Sequence, residues 1–362
     1  MFKEIYKLGE LYLMQKYKEQ DRKNHELIDL FWECTLTCNA NCKHCGSSAE
    51  KKKYDGELIT EEIKNAFQQI ANDMDASKIL INVTGGEPLV RKDLCEVMEY
   101  ATNELGFHWG MTTNGILLTE ENIQKLKKAN METISISIDG LEETHDKFRG
   151  VPNSYQTIIE NIKKLKQAGF VKHIQVTTVF HKGNINQMEE LYQVMLGLGL
   201  DSWRLASMDP IGRANENNDL LLDGKEIKRL LDFIKSKKHN KKLELTYGCP
   251  GFLGLDYEKE VRKYYFYCRT GINVASILYN GDLFVCPNVP RIKRLIQGNI
   301  RTDNFKDVWD NKYKEFRSKD RTKSDTCEKC EYWEYCLGGA YHTWNFENNE
   351  QNKCPYKMMY GK

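Results

Sequence analysis

The chain has 362 residues, 40% of them hydrophobic and 29% charged, with a formal net charge of +1 at pH 7. This balance describes a globular chain rather than a disordered one, and the near-zero charge excludes a nucleic-acid or anionic-membrane binder held by bulk electrostatics. Without an apolar run of membrane-spanning length or a secretory signal in Met1 to Glu33, the expectation is a cytoplasmic protein with no nucleic-acid and no membrane partner.

In chain order, Phe2, Ile5, Leu8 and Tyr12 lie on one face of a helix expected to pack against the body of the protein, so residues 1–28 read as an N-terminal helical extension. From Asp29 to about Ile234, short apolar runs alternate with amphipathic helical patterns, the signature of βα repeats around a parallel sheet. Strands are expected at Asp29 to Cys34, Ile79 to Thr84, His108 to Thr112, Thr133 to Ile138, Ile174 to Phe180 and Trp203 to Ala206. Between them, Thr60 to Met74 reads as a helix with Ile63, Phe67, Ile70 and Met74 on one face and Thr60 as its cap. Another helix begins near Tyr155, carries Ile158, Ile162 and Leu165 on one face, and stops at Gly169. Six such units over residues 29–235 predict an α/β fold, a partial (β/α)6 TIM-like barrel rather than a closed eight-fold one. The polar run Ser236 to Lys242 reads as a solvated linker spanning residues 236–247, and residues 248–362 as a small fold organised by metal.

Cysteine carries most of the chemical information, because twelve in a chain without a signal sequence do not suit a disulfide framework and point to metal. The spacing Cys38-x3-Cys42-x2-Cys45 puts three thiols on the loop after the first strand, at the rim where parallel barrels build active sites. Three thiolates suit three irons of a 4Fe-4S cubane with the fourth iron open. Zinc with Cys34 as fourth ligand is the alternative. Gly85-Gly86-Glu87-Pro88 ends the second strand, where two glycines would bare the backbone and Glu87 would accept from an ammonium donor. Thr113-Asn114-Gly115 makes a polar stop after the third. In the fourth, Ile134, Ile136 and Ile138 are expected to face the helices, and Ser135, Ser137 and Asp139 to line the lumen where a charged cofactor would lie, unless this is an edge strand with a wet face. Thr178 and Arg204 are further lumen candidates. A second set follows as Cys249, Cys268-x12-Gly281-x4-Cys286, Cys327-x2-Cys330-x5-Cys336 and Cys354, with zinc again the alternative for the C-x2-C-x5-C part.

Across the barrel region these motifs resemble the radical S-adenosylmethionine (SAM) superfamily. His44 matches the ring that precedes the last cysteine of its loop, residues 85–88 its GGEP segment, and His145, Asp146, Arg149 and Gly150 its H-D-x-x-R-G. The resemblance implies a 4Fe-4S cluster on Cys38, Cys42 and Cys45. It also implies a SAM site formed by His44, Gly85, Gly86, Glu87, Asn114, Ser137 and Asp139, the GGEP segment on the SAM amino group and Ser137 on its carboxylate. Reductive cleavage of SAM would then give a 5′-deoxyadenosyl radical. The later cysteines, with Gly298-Asn299-Ile300, Phe305 and Trp309, resemble the SPASM extension of such enzymes, which implies one or two auxiliary iron-sulfur clusters of 4Fe-4S type. Cys327, Cys330, Cys336 and Cys354 would hold one, and Cys249, Cys268 and Cys286 the other. The family has a further cysteine where this chain has Ala340, so the second of these sets would be left open or closed by His342. Cys34 and Cys95 stay unassigned, Cys95 reading as a small buried hydrophobe.

The SPASM resemblance implies a peptide or protein substrate, and leads to the expectation of a maturase of a ribosomally made peptide (RiPP) that forms a thioether or carbon-carbon crosslink. An electron donor such as flavodoxin or ferredoxin is implied as well. Peptide epimerisation, which needs a free cysteine, is one rival. Sulfatase-maturase-like oxidation is another, weakened because Pro287 stands where those enzymes place an aspartate. A non-catalytic iron-sulfur or zinc scaffold or electron carrier is a third, but it would have no use for the GGEP and S-x-D-G segments. The chain before Cys38 is expected to be too short for a separate leader-binding domain.

Overall fold

The computed structural model describes residues 2–319 and 324–361. Its strands are β1 (Asp29–Glu33), β2 (Leu80–Thr84), β3 (His108–Thr113), β4 (Thr133–Ser137), β5 (His173–Phe180), β6 (Ser202–Ser207), β7 (Glu244–Tyr247), β8 (Val274–Ile277), β9 (Asp282–Phe284) and β10 (Gly298–Asn299). They form one ten-stranded sheet in the order β10-β9-β8-β1-β2-β3-β4-β5-β6-β7. Neighbours from β8 to β7 are parallel, and β9 and β10 add antiparallel strands beyond β8.

Helices α1 (Phe2–Asn24), α2 (Thr60–Asp73), α3 (Leu94–Asn103), α4 (Glu120–Lys128), α5 (Glu142–Arg149), α6 (Ser154–Ala168), α7 (Met188–Leu198) and α8 (Gly224–Lys237) precede β7. Trp32, Ile81, Trp109, Ile136, Val176 and Trp203 point from alternate strand positions into a core closed by Phe67, Val97, Ile162, Met195 and Leu231 of the helices. Alternation leaves the opposite, lumen-facing positions to Asn82, Thr84, Thr112, Ser135, Ser137, Gln175, Thr177 and Arg204, all of them at least partly accessible. No helix among the described residues is long and apolar enough to cross a membrane.

Four expectations change. The segment 236–247 is not a linker: it holds the end of α8, a turn, and β7, whose backbone extends the sheet beyond β6. Residues 248–362 are not a detached unit either. The apolar Val274–Ile277 run covers the otherwise open edge of β1, and Leu283, Phe284, Phe305 and Trp309 share the main core.

The α1 face also differs. Ile5, Leu8 and Tyr12 are 59%, 41% and 55% exposed, and the helix instead docks through Leu11 onto Phe252, Tyr265, Phe266 and Ala340 of the C-terminal region. Lys18 is buried with it because its ammonium donates to the carbonyls of Phe266 and Tyr335, at 2.7 and 2.9 Å, while its stem packs. The side chain of Phe2 lies outside the described residues. Finally, Thr60 does not cap α2: its hydroxyl donates to Asp93 at 2.6 Å, and the Glu62 carboxylate accepts from the Ile59 N–H at 2.9 Å instead.

Candidate active site

The chain leaving β1 is pinned from several sides. Cys38, Cys42 and Cys45 pack together with Ala40, Ala49 and Val151, apart from Cys34, which points the other way into the main core beside Leu30 and Trp32. That separation removes Cys34 as a partner for the loop. Arg91, itself buried, holds the carbonyl of Cys34 at 2.8 Å. Arg213 donates to the carbonyls of Cys42 and Ala49, at 2.9 and 2.7 Å.

Gly85 and Gly86 meet this loop so closely that an added Cβ would sit 2.3 Å from the carbonyl oxygens of Thr35 and Thr37 respectively. The Gly86 and Glu87 N–H groups donate to those same two oxygens, at 2.7 and 3.0 Å. The glycines thus serve first to let the second strand's end lie against the cysteine loop. Glu87 is fully buried and committed to the chain itself: its carboxylate accepts from the Leu89 N–H, the Thr113 hydroxyl and the Asn114 N–H, at 3.1, 2.7 and 2.7 Å. Burial pushes its pKa up, opposed by these three donors. Asn114 in turn donates to Asn39 on the loop at 2.6 Å.

Behind the loop, His44 stacks on Phe148 with ring centroids 4.6 Å apart, and Phe148 stacks on His181 at 4.0 Å. Asp139 is fully buried, accepts from the Val179 N–H at 2.7 Å, and pairs with Arg149 at 2.6 Å and His44 at 3.7 Å. Burial alone would raise its pKa, but the Arg149 charge and the Val179 N–H hold it below the usual carboxylate range. Ser137 stands on the lumen face beside Thr177, while Ser135 shares a 2.8 Å hydrogen bond with Thr177. Thr178, expected in the lumen, lies on the helix side with Val176, where it donates to the Ile138 carbonyl at 2.6 Å and accepts from the Trp203 ring N–H at 2.8 Å. Arg204 does face the lumen, with a guanidinium nitrogen 3.7 Å from the sulfur of the exposed Cys249.

Two buried histidines set a pH dependence. His145 and His181 accept at Nδ1 from the Asp139 and Gly183 N–H groups, at 3.0 and 3.1 Å, and burial lowers each pKa to about 4. Their folded values lie below the unfolded value of about 6.5, so only the unfolded chain takes up these protons as pH falls from about 6.5 to 4. Each histidine therefore withdraws stability in that window by about 1.4 kcal/mol per pH unit. Glu33, raised to about 7 by burial against the pull of Arg291, acts in the opposite sense. The clean measurement is a difference: the destabilisation of His181→Gln relative to wild type, from urea unfolding, should shrink on going from pH 6.5 to 5. A pH-independent difference would show that His181 is not held neutral.

The C-terminal cysteines form two groups. Cys327, Cys330, Cys336 and Cys354 line one cavity of about 240 Å³ together with Phe252, Tyr332 and Trp333. Four thiols around one cavity fit a cubane with a full ligand set. Burial pushes the Cys336 thiol up to about 12, so loading with metal must release its proton. Cys268 and Cys286 flank Thr270, with Cys268 3.4 Å from its hydroxyl, and both Cys268 and Cys249 lie near enough to Cys286 to interact with it electrostatically. Ala340 is 1% exposed, its place filled by apolar packing, and His342 is turned to the Asp209 carboxylate at 3.3 Å. Among the described residues no three Cys, His, Asp or Glu side chains gather tightly enough to hold a single metal ion. A cubane instead takes one thiolate per iron.

Sequence reasoning missed Arg91, Arg213, Asp209 and Lys353, which anchor the loop and the C-terminal region by contacts distant in sequence and carry no motif.

The radical SAM superfamily pattern matches residues 32–195, and the SPASM iron-sulfur cluster-binding domain matches residues 268–331. The chain is 29% identical over 346 residues to an AdoMet-dependent heme synthase of Methanosarcina barkeri, covering 90% of this chain and 95% of the relative. It is also 29% identical over 327 residues to the mycofactocin maturase MftC of Mycolicibacterium smegmatis, covering 86% and 78%. The fold is shared with SuiB of Streptococcus suis bound to S-adenosylmethionine, at a TM-score of 0.69 and 21% identity, covering 88% of this chain and 73% of that one. With these two domains on one chain, arranged as the cysteine loop and the C-terminal thiol groups require, the protein is a radical SAM superfamily enzyme with a SPASM domain, whose cofactors are S-adenosylmethionine and 4Fe-4S clusters.

Proposed function

We propose that Cys38, Cys42 and Cys45 hold the SAM-cleaving cluster, that the lumen face around Ser137 and the strand end at Gly85–Gly86 receives SAM, and that the substrate is a peptide held at the barrel mouth. The observation that carries this reading is the convergence of the cysteine loop with the ends of β2 and β3 through the hydrogen bonds of Gly86, Glu87 and Asn114, and with Asp139 just after β4 through its contact with His44. When bound, the reduced cluster supplies the electron that cleaves SAM, and the 5′-deoxyadenosyl radical so formed removes a hydrogen atom from the substrate. This chain's residues position the reactants. Cys249 and Arg204 meet at the mouth, and with His342 turned to Asp209 and Ala340 packed away, the set Cys249, Cys268 and Cys286 would leave one iron open to a substrate thiolate. A thiolate held there is already deprotonated and close to the radical carbon, which favours a thioether product.

A second reading follows from the heme synthases, whose similarity runs along 90% of this chain: a tetrapyrrole in place of the peptide. Anaerobic reactions of the reconstituted protein with SAM and dithionite, using cysteine-containing peptides in one arm and Fe-coproporphyrin III in the other, separate the two by mass spectrometry. A peptide product lighter by two hydrogens supports the first reading. A mass change confined to the porphyrin replaces it with the second.

The site also separates two side chains that the sequence treats alike. Ser137→Ala should cost a hydrogen bond to a charged group, about 1.5–3 kcal/mol, hence about a tenfold or larger loss of SAM affinity with iron content unchanged. Glu87→Ala should instead leave three buried donors unsatisfied and lower the thermal midpoint. Calorimetric SAM titration and thermal melts of both variants check this, and unchanged affinity in Ser137→Ala would remove it from the SAM site.

A further inference from the structure

The last turn of α5 reaches the cysteine loop in a way that positioning the backbone alone does not require. The Arg149 and Phe148 carbonyls accept from the N–H groups of Asn41 and Lys43, at 3.1 and 3.0 Å, strapping the loop on either side of Cys42. Gly150 then turns away with φ 68°, and a Cβ there would sit 3.1 Å from the Asn41 carbonyl. The Arg149 guanidinium, 9% exposed as a residue, splits its two ends. Nη1 points at the Cys42 sulfur at 3.5 Å, and Nη2 pairs with Asp139 at 2.6 Å. Asp139 is fixed in turn by the Val179 N–H and carries the His145 ring on its own backbone N–H. A buried cation thus has its positive edge directed at one thiol of the loop and its counter-ion on the far side.

We propose that Arg149, held by Asp139, is a positioning residue that fixes the Cys42 thiolate and raises the reduction potential of the cluster on this loop. It rests on the reading of Cys42 as an iron ligand. A positive charge and an N–H donor at a ligand sulfur stabilise the state with the extra electron, and a buried site screens that effect little. Asp139 tempers it, because its carboxylate opposes the guanidinium with which it pairs.

The two partners therefore predict shifts of opposite sign. In redox titrations of the reconstituted full chain followed by electron paramagnetic resonance, Arg149→Gln should lower the reduced-to-oxidised ratio at a fixed potential about tenfold or more, a midpoint about 59 mV more negative for one electron. Asp139→Asn should move it the other way, because Arg149 is then uncompensated. Arg149→Lys, which keeps the charge, should recover most of the wild-type value. If Arg149→Gln fails to retain iron, the Asp139→Asn and Arg149→Lys midpoints still decide. A midpoint of Arg149→Gln or, where that variant does not load, of Asp139→Asn within twofold of wild type in that ratio overturns the proposal. A wild-type protein with no reducible cluster on this loop overturns the ligand reading itself, and this inference with it.

Discussion

Replacing Cys38, Cys42 and Cys45 together by Ala is expected to reduce formation of 5′-deoxyadenosine from SAM to the background of protein-free reductant. The three thiols are gathered into one packed group between two arginine straps, and no other described cysteine joins that group. Without them the loop has no soft ligand to offer iron, and the loss should be complete rather than graded. Iron content should fall by about four atoms per chain, one cubane, while the C-terminal clusters remain. Cys34→Ala is the informative control, because this thiol lies in the main core facing away from the loop. That variant should keep its iron and its SAM cleavage and lose only packing. A triple variant that still made 5′-deoxyadenosine at the native rate would falsify the assignment of the loop, and loss of iron in Cys34→Ala would restore the four-cysteine zinc alternative.

What the sequence revealed follows the physical range of each signal. Strands β1 to β6 were legible because each alternates or runs apolar between turn residues, a local pattern. The segment Leu243 to Tyr247 does alternate, but it is short and directly follows the polar run Ser236 to Lys242, which hid it inside a linker; β6 offers it the edge on which it becomes β7. Likewise Val274–Ile277 is ordinary apolar sequence until β1 pairs with it from 245 residues away. Thr178 shows the cost of ignoring register. Ile174, Val176 and Phe180 share its face, so alternation itself assigns it to the core and Thr177 to the lumen; a one-residue slip reverses every side chain. In the site, the cysteine spacing was readable because the three thiols that pack together lie on one short loop. The internal partners of Glu87 and of the two glycines were not readable in the same way. Which atoms a buried carboxylate serves depends on neighbours such as Thr113 and Asn114 that fold to it from another strand.

Lys353→Met is expected to have the largest effect on stability, and to show how the C-terminal cysteines are tied to the barrel. The Lys353 side chain is 6% exposed and its ammonium donates to the Ser207 hydroxyl, the Met208 carbonyl and the Asp209 carboxylate, at 2.8, 2.8 and 2.7 Å. These acceptors sit at the end of β6, and the Ser207 hydroxyl is itself joined to the Tyr247 hydroxyl at the end of β7. Methionine keeps the volume but leaves Asp209 with only His342 beside it. Breaking a buried pair from one side costs about 3–5 kcal/mol, and because the Asp209 side chain remains 23% exposed the lower end, about 3 kcal/mol, applies. The pH dependence identifies the cause. Burial would raise the Asp209 pKa, but the Lys353 charge and His342 hold it well below the usual carboxylate range. A depressed carboxylate contributes its full stability above its unfolded value of about 3.9 and loses it only as pH falls through the folded one, so the defect should be the same at pH 7 and pH 5. Because Cys354 follows Lys353 directly, the loosened segment should also lose iron from the cavity of Cys327, Cys330, Cys336 and Cys354 while the loop of Cys38 keeps its own. Urea unfolding at the two pH values, with iron counted per chain, tests both halves, and a wild-type unfolding midpoint in Lys353→Met would mean that this buried cation holds nothing together.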